Sequence, residues 1–289
     1  AVAQVLAWRG QRVRLWDYNH ETIKAITQTG ANEKFLPGVK LSRRIVPEAS
    51  MERAVENADL VIVACASPYV RETTRHLAHC LLHRHFDRVP RPRDEVEKSH
   101  TVEGVRSLGY ARDDELVIAH IAKGLESKTN LTMHEVIQSE LPPALRRKVV
   151  TISGPSIAKE MVRGAPTAVV AASSDRKAAE LVREAFECAE ALPPQSRSGR
   201  QGLPVFRVAL STDWKGVGVC GALKNVYAIA LGMCPVRAYG RLQRPTSNGM
   251  NDRAFMFTTA LHEMESVVTA CGGKQKTVYS LAGLGDMIV

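Results

Sequence analysis

The chain is long and apolar enough to build a sizeable core, and it is basic. It has 289 residues, of which 45% are hydrophobic and 5% aromatic, and its formal net charge is +9. Chains of this length usually divide into more than one domain, and a positive charge suits an anionic substrate or a phosphate-bearing cofactor. Nucleic acid is not predicted as a partner, because the basic residues are spread out and aromatic residues are few. No apolar run reaches the length needed to cross a bilayer, so we predict no membrane span.

The first part of the chain alternates between helical patterns and short buried strands. Residues 1–10 are typical of a helix that ends at a glycine, and QRVRLWDYN is typical of a strand ending at Trp16–Asp17. The next predicted strands are VIVAC, ELVIAHIA, VVTIS and TAVVAASS, and the predicted helices are HETIKAITQTGAN, RETTRHLAHCLLHRH, TMHEVIQSEL and RKAAELVREAFECAEA. This alternation predicts an α/β fold whose largely parallel, doubly wound sheet is covered on both faces.

A change of pattern divides the chain. From about Ser211 the strand patterns stop and long helical patterns follow. We therefore predict a dinucleotide-binding domain at 1–210 and a helical substrate domain at 211–289. Two stretches, 83–115 and 192–204, are rich in charge, Pro, Gly or Ser and are longer than ordinary connections, so they are predicted as surface insertions. The first carries nearly as many acids as bases, which favours a solvated loop over a nucleic-acid arm.

The six cysteines stand apart, with no C-x-x-C pair. Several of them lie in apolar runs, where a free cysteine packs as a small hydrophobic residue. We therefore predict reduced thiols, no metal site and a cytoplasmic location, with an organelle left open. The cysteines are Cys65, Cys80, Cys188, Cys220, Cys234 and Cys271.

The predicted strand ends carry polar groups that suit a dinucleotide. In a doubly wound sheet, ligands bind beyond the carboxyl ends of the strands. Those ends carry Asp17, Ser67–Pro68, Lys123–Gly124 and Gly154–Pro155–Ser156. An acid in the place of Asp17 can hold the ribose hydroxyls and repel the extra phosphate of NADP, so we predict NAD. A turn-forming aspartate remains the alternative for this residue.

The glycine motif G-x-G-x-x-G, which cradles the pyrophosphate of a dinucleotide, is not in the sequence. It would lie between the first strand of the fold and the helix that opens this chain, so its expected place is upstream of Ala1. The stretch GPSIAKE offers backbone N–H groups at a helix start, which suits an anion. By itself GPS is also ordinary turn chemistry.

An apolar helical segment of the second half holds a lysine at its centre. GVGVCGALKNVYAIALG, residues 216–232, carries Lys224 among Ala, Val, Leu and Ile. A buried ammonium must be paired or lose its proton, because leaving water costs several kcal/mol. Burial lowers the pKa of a lysine towards the working pH, which a general acid needs. Asp286, after the turn GLG, is the predicted counter-ion. A lysine that snorkels to the surface remains the alternative.

The order of these motifs resembles the NAD-dependent glycerol-3-phosphate dehydrogenases. The matching stretches are ACASPYVRE, IAKGLE, GPSIAKE, GVGVCGALKNVYAIA, GMNDRA and GLGDMI, spread from about Leu15 to Val289. The resemblance implies a Rossmann-like domain followed by an all-α substrate domain. It also implies an NAD-dependent enzyme that interconverts sn-glycerol 3-phosphate and dihydroxyacetone phosphate, a step that supplies a phospholipid precursor, and a homodimer.

The resemblance further implies the roles of individual residues. Lys224 corresponds to the catalytic proton donor and Asp286 to its carboxylate partner. Lys123 corresponds to a lysine that helps hold substrate and cofactor, and we predict it as the third member of the catalytic group. The other implied substrate contacts are Gly154 and Ser156. The other implied cofactor contact is Ala158; Asp17, Ser67 and Pro68 are predicted to bind the cofactor from their place at the strand ends.

The family pattern extends beyond both ends of this sequence, so we expect the native protein to be longer, with upstream glycines and a downstream Thr and Arg-Asn pair. Two alternatives to the leading hypothesis remain open. One is another small-hydroxyacid dehydrogenase of similar two-domain architecture, which would take a carboxylate substrate. The other is a non-catalytic, truncated product that binds a partner or nucleic acid through its basic surface.

Overall fold

The computed structural model describes residues 1–83, 116–187, 206–238 and 249–288. The insertions predicted at 83–115 and 192–204 lie outside the described residues, apart from His83 at the end of a helix.

The strands form two sheets. They are β1 Val13–Trp16, β2 Ile45–Glu48, β3 Leu60–Val63, β4 Val117–His120, β5 Val149–Ser153, β6 Thr167–Ala172 and β7 Phe206–Ser211. The parallel pair β1–β2 forms one sheet, and the other has the order β3-β4-β5-β6-β7. Neighbours in the larger sheet run parallel except β5 and β6, which are antiparallel. The reversal at β6 and the separate pair β1–β2 are differences from the single sheet that the sequence predicts.

Helices connect and cover these strands. They are α1 Val2–Trp8, α2 His20–Thr29, α3 Met51–Val55, α4 Val70–His83, α5 Met133–Glu140, α6 Pro143–Arg146, α7 Ala158–Met161, α8 Arg176–Phe186, α9 Trp214–Ala238, α10 Gly249–Ala270 and α11 Gln275–Val278. A 3-10 turn at Ser67–Tyr69 precedes α4, and a π-helical turn at Leu281–Gly285 follows α11. Several helices begin at a residue whose side chain caps the first turn. Thr132 and Glu135, for example, form a reciprocal capping box at α5.

The larger sheet is covered on both faces. Along β4, Ile118 packs with α4 and α5, whereas Val117 and Ala119 pack on the opposite side with α1 and α8. All three side chains are buried. Adjacent residues of a strand point to opposite faces, so burial of both sets requires helices on both sides. The α/β, Rossmann-like expectation is thereby confirmed.

The second half is helical. Helix α9 packs against α10 and α11, and their shared core includes Val219, Cys220, Met264 and Val268. The same α9 also contacts β5 and the π-helical turn. This helix therefore joins the helical half to the sheet. It brings its own side chains close to the carboxyl end of β5.

The expectation that no apolar run is long enough to cross a bilayer was wrong for α9. The segment Trp214–Met233 is long and apolar enough to cross a membrane, with a mean hydropathy of 1.3, and 33% of it is buried. A core helix passes the same test. Two charged residues lie within the segment, Lys215 and Lys224, and both are paired with acids of other elements.

Two buried histidines share one hydroxyl beneath the start of α9. The Thr151 Oγ1 atom lies 2.9 Å from His120 Nε2 and 2.9 Å from His134 Nδ1, and the His134 ring stacks on Trp214 with centroids 4.2 Å apart. A hydroxyl can donate only one hydrogen bond, so at least one imidazole must donate to it. Burial lowers the pKa of His120 to about 4, and burial and His120 hold the pKa of His134 well below its usual value. Both rings are therefore neutral near pH 7.

Acid should weaken the fold through these histidines. Each is neutral in the folded chain but takes up a proton in the unfolded chain below about pH 6.5, so stability is present above that pH and falls below it. We expect the free energy of unfolding to drop by about 2 kcal/mol per histidine between pH 7 and pH 5. Urea titrations at a series of pH values measure this drop. The variant His120→Asn should show a shallower pH dependence, and an unchanged slope would contradict the assignment.

Candidate active site

Three strand ends place the predicted residues at one edge of the larger sheet. Because β3, β4 and β5 are parallel neighbours, the residues that follow them meet at the same edge. A Cβ at Gly124 would lie 3.3 Å from Ser67 Oγ, so the segments after β3 and β4 touch there. Gly124 itself has a φ of +134°, which a side chain rarely allows.

A buried carboxylate is the centre of the site. Asp286 is 1% exposed and accepts a hydrogen bond of 2.6 Å from Lys224 Nζ through Oδ1. Its Oδ2 accepts from Lys123 Nζ and from Ser153 Oγ, the latter at 3.2 Å. Lys123, Lys224 and Asp286, which the sequence predicts as the catalytic group, therefore lie in direct contact. We call these three residues the lysine–aspartate triad.

The end of α9 nearest the sheet is fixed by a second buried aspartate. Asp213 accepts from the backbone N–H of Gly216 at 3.0 Å, which caps the start of α9. It also accepts from the Lys274 N–H at 2.8 Å and from Thr277 Oγ1 at 2.5 Å, at the start of α11. The turn after α11 ends at Asp286. One carboxylate thus holds α9, which carries Lys224, against α11, which leads into the turn that ends at Asp286.

A glycine of α9 allows the helix to approach the sheet. A Cβ at Gly221 would lie 3.1 Å from Ser153 Oγ and 3.7 Å from Lys123 Cγ. A contact this short is tighter than nine in ten real Cβ contacts, so a larger residue at 221 would require Ser153, which donates to Asp286, to move by a few tenths of an ångström. The glycine of the GALK motif therefore has a packing role: it lets Lys224 reach Asp286.

The triad carries more positive than negative charge. Two ammonium groups share one carboxylate, and their side chains are 22% and 17% exposed for Lys123 and Lys224. Burial lowers the pKa of Lys123, Lys224 lowers it further, and Asp286 acts in the opposite direction. The mouth of the site therefore attracts an anion, and its ammonium protons are available to an oxygen that gains negative charge.

Gly154 supports the site through its backbone. Its φ is +144°, and a Cβ there would lie 2.9 Å from Val169 Cα on β6. The substitution Gly154→Ala combines backbone strain with a clash against main chain, so we expect a loss of about 2–5 kcal/mol in the free energy of unfolding. Chemical denaturation measures this loss. The control is Gly232→Ala, at an exposed helical position with nothing within 4 Å, which should stabilise by about 0.5–1 kcal/mol. Equal changes in the free energy of unfolding for the two variants would contradict the role assigned to Gly154.

The remaining predicted residues lie around the rim. Ser156 is exposed and donates to the Gly154 carbonyl at 3.0 Å, and Ala158 is exposed at the start of α7. The exposed Pro68 lies in the 3-10 turn after β3. Asp17 Oδ1 accepts from the Asn19 N–H at 2.8 Å, which is the turn-forming arrangement that the sequence left open. These roles stay predictions.

The rim near Asp17 also carries an aromatic pair. Tyr18 stacks on Tyr69 with ring centroids 6.2 Å apart and an interplanar angle of 24°. Both tyrosines are exposed. The stack joins the loop after β1 to the turn after β3. It therefore brings Asp17 to the same region as Ser67 and Pro68.

Sequence reasoning missed two residues of the site, Ser153 and Asp213. Ser153 is the last residue of β5 and directly precedes the predicted Gly154, so its place at a strand end was an available signal. Asp213 precedes the first turn of α9, which is typical of a capping residue. Its additional bonds to α11 had no local signal.

The N-terminus family model of the NAD-dependent glycerol-3-phosphate dehydrogenases matches residues 1–88 and 96–179, and the C-terminus model matches 213–289. The chain belongs to this family. The recognition made from the motifs is therefore confirmed. The N-terminus match ends at residue 179 and the C-terminus match begins at residue 213, so β7 lies between the two matched segments.

Curated relatives have similar sequences. Glycerol-3-phosphate dehydrogenase [NAD(P)+] of Moorella thermoacetica (strain ATCC 39073 / JCM 9320) is 34% identical over 289 residues, which cover 100% of this chain and 69% of that protein. The protein of the same name from Koribacter versatilis (strain Ellin345) is 32% identical, with 100% of this chain and 70% of the relative covered.

Solved structures have the same fold. Glycerol-3-phosphate dehydrogenase from Coxiella burnetii is similar with a TM-score of 0.72 and 27% identity, over 99% of this chain and 70% of that one. DsGPDH of Dunaliella salina has a TM-score of 0.70 and 17% identity, over 100% of this chain and 43% of that one. At 17% identity the likeness shows the fold alone.

Proposed function

We propose that this protein is a glycerol-3-phosphate dehydrogenase that interconverts dihydroxyacetone phosphate and sn-glycerol 3-phosphate with NAD(H). The observation that carries the proposal is the lysine–aspartate triad, in which Asp286 holds Lys224 and Lys123 together at the edge of the sheet. Family membership supplies the substrate, because the relatives are named for it. In this proposal residues 1–210 bind the dinucleotide and residues 211–289 contribute the proton donor.

Ketone reduction needs a proton and a positive field at the developing alkoxide. An ammonium has three N–H donors, and Asp286 takes one from Lys224, so others remain for the C2 oxygen of the substrate. Asp286 fixes the direction of this ammonium. Lys123 adds a second positive charge beside it, which stabilises the same oxygen. When bound, the nicotinamide supplies the hydride.

Residues along the sheet edge fit a dinucleotide. Gly124 and Gly154 have positive φ angles, which let the chain turn sharply at this edge and pack against Ser67 and β6. Asp17 and the exposed Tyr18–Tyr69 pair lie towards one end of this edge. The triad lies on the side of the helical half. In the proposal, Asp17, Ser67, Pro68, Lys123 and Ala158 hold the cofactor, whereas Gly154, Ser156, Lys123 and Lys224 hold the substrate.

Preference for NAD over NADP belongs to the proposal. The curated relatives are named for NAD(P)+, which covers both cofactors. Asp17 would repel a phosphate on the 2′ oxygen of the ribose, because its carboxylate lies after β1 at the carboxyl edge. We therefore expect a higher kcat/KM with NADH than with NADPH.

A substrate panel tests the proposed function. Oxidation of NADH is followed with dihydroxyacetone phosphate and, separately, with small keto acids that carry a carboxylate in place of the phosphate. The expected result is saturable turnover with the phosphate ester alone. Turnover only with keto acids would favour the hydroxyacid dehydrogenase alternative. No turnover, together with DNA binding that weakens steeply with salt, would favour the non-catalytic alternative.

Assembly and location are further parts of the proposal. Exposed apolar residues on α9 and α10, including Ile229, Met233 and Phe255, support a homodimer, since such groupings often mark contact surfaces. A monomer mass in light scattering would overturn the homodimer.

The cysteines whose side chains the structure describes are free thiols, which supports a reducing compartment such as the cytoplasm; they are Cys65, Cys80, Cys220 and Cys271. The paired lysines of α9 support a domain helix over a membrane span.

A further inference from the structure

Three side chains of metal-binding type meet on the outer face of the first half, away from the triad. His76 and Cys80 lie four residues apart on α4, and Glu52 lies in the first turn of α3. Residues spaced by four on a helix share one face, so both side chains of α4 can reach the same ligand. One ligand atom from each of the three lies within 4.8 Å of the others.

The separations suit a tetrahedral zinc ion. His76 Nε2 lies 3.6 Å from Glu52 Oε1, and Cys80 Sγ lies 3.4 Å from the same oxygen. Zinc bond lengths of 2.0–2.3 Å at tetrahedral angles separate neighbouring ligand atoms by about 3.3–3.6 Å. The two separations from Glu52 match this geometry, and the ligand atoms of His76 and Cys80 lie within 4.8 Å of each other. Sulfur, imidazole and carboxylate together favour zinc over the hard cations calcium and magnesium.

Neighbouring groups orient the ligands. Ser50 Oγ donates to Glu52 Oε2 at 2.6 Å, so the other oxygen, Oε1, is the one that faces His76 and Cys80. The rings of His76 and Trp16 pack edge to face, with centroids 6.0 Å apart and an interplanar angle of 78°. Contacts of this kind to the outer side of a ligand hold it in position before the metal arrives. Cys80 is buried, but His76 and Glu52 are 48% and 60% exposed, which leaves an entry path from solvent.

We propose that Glu52, His76 and Cys80 bind one zinc ion, with water as the fourth ligand. This site lies beyond the proposed function and does not depend on it. On binding, a Zn–S bond replaces the S–H bond of Cys80, whose proton passes to solvent, while the imidazole and carboxylate bind through lone pairs. The ion would add a link between α3 and α4, which are already joined by packing and by the hydrogen bond from Cys80 Sγ to Glu52 Oε1. Its presence should therefore raise the melting temperature.

Cobalt titration of the whole protein tests the site, because a cobalt–thiolate bond gives a charge-transfer band in the near ultraviolet. The expected result is a band that saturates at one Co²⁺ per chain and disappears when Zn²⁺ is added. His76→Ala and Cys80→Ser should each weaken cobalt binding by more than about tenfold. His76→Ala removes a half-exposed ring, so it tests the ligand set even where a buried Cys80 variant is unstable.

The matched control is Cys271→Ser, which removes an exposed free thiol outside the cluster and should leave the band intact. Zinc should raise the melting temperature of the unaltered protein and of Cys271→Ser, but not of His76→Ala. A band of undiminished strength in Cys80→Ser would overturn the proposal. So would the absence of a saturable band in the unaltered protein.

Discussion

Replacing Lys224 by alanine should lower kcat for dihydroxyacetone phosphate reduction by about 10³-fold or more while leaving the protein folded. A positioned general acid contributes about 10²–10⁴-fold, and the lost positive charge adds to that loss. The fold should survive because Asp286 keeps its hydrogen bonds from Lys123 and Ser153. Steady-state kinetics with NADH measure the effect, and circular dichroism checks the fold.

The matched control for this substitution is Lys215→Ala on the same helix. Lys215 pairs with Glu135 at 3.5 Å at the start of α9, about 2.5 helical turns before Lys224. A partly exposed ion pair contributes about 0–1 kcal/mol, so kcat should stay within a small factor of the unaltered protein. Equal loss of kcat in both variants, or full turnover in Lys224→Ala, would contradict the role assigned to Lys224.

Replacing Asp286 by asparagine should damage both stability and catalysis. The carboxylate is fully buried and is the shared counter-charge of two lysines, so its removal leaves two ammonium groups beside each other without compensation. Removing one partner of a buried ion pair typically costs about 3–5 kcal/mol. Loss of the carboxylate should also lower the pKa of Lys123 further, since Asp286 is the group that raises it. Activity should therefore fall at neutral pH.

Two readouts separate this effect from a general loss of structure. Guanidinium unfolding gives the stability change, and the pH dependence of kcat/KM should shift towards acid, where Lys123 regains its proton once Asp286 no longer raises its pKa. The control is Asp175→Asn, which alters the N-cap of α8 and should cost about 1 kcal/mol or less with no change in the pH profile. An unshifted profile in Asp286→Asn would contradict the proposed coupling between Asp286 and the lysines.

Strong local patterns made much of the fold predictable. The run VIVAC overlaps β3, the run VVTIS coincides with the buried strand β5, and the stretches TMHEVIQSEL and RKAAELVREAF contain the capped helices α5 and α8. Strand β2 was missed because IVPE is short and contains Pro47, which cannot donate a ladder hydrogen bond. Strand β7 was missed because it alternates buried and exposed residues directly after the predicted Pro/Gly/Ser-rich insertion.

The sequence predicted only those site residues that belong to the family motifs. The family pattern supplied the pairing of Lys224 with Asp286, but the contact between Lys123 and Asp286, which are 163 residues apart, had no signal in the sequence. Ser153 and Asp213 carry no such motif, and their roles depend on how α9 and α11 pack. The antiparallel β6 likewise depends on the chain path after Gly154, which a strand pattern cannot specify.

The most direct test of the central claim follows the hydride itself. The protein is incubated with dihydroxyacetone phosphate and NADH that carries deuterium at both C4 positions, and the product is analysed by mass spectrometry and NMR. We predict sn-glycerol 3-phosphate with one deuterium on C2 and the solvent proton on the C2 oxygen. A product without deuterium at C2, or no glycerol 3-phosphate at all, would contradict the proposed function of the lysine–aspartate triad.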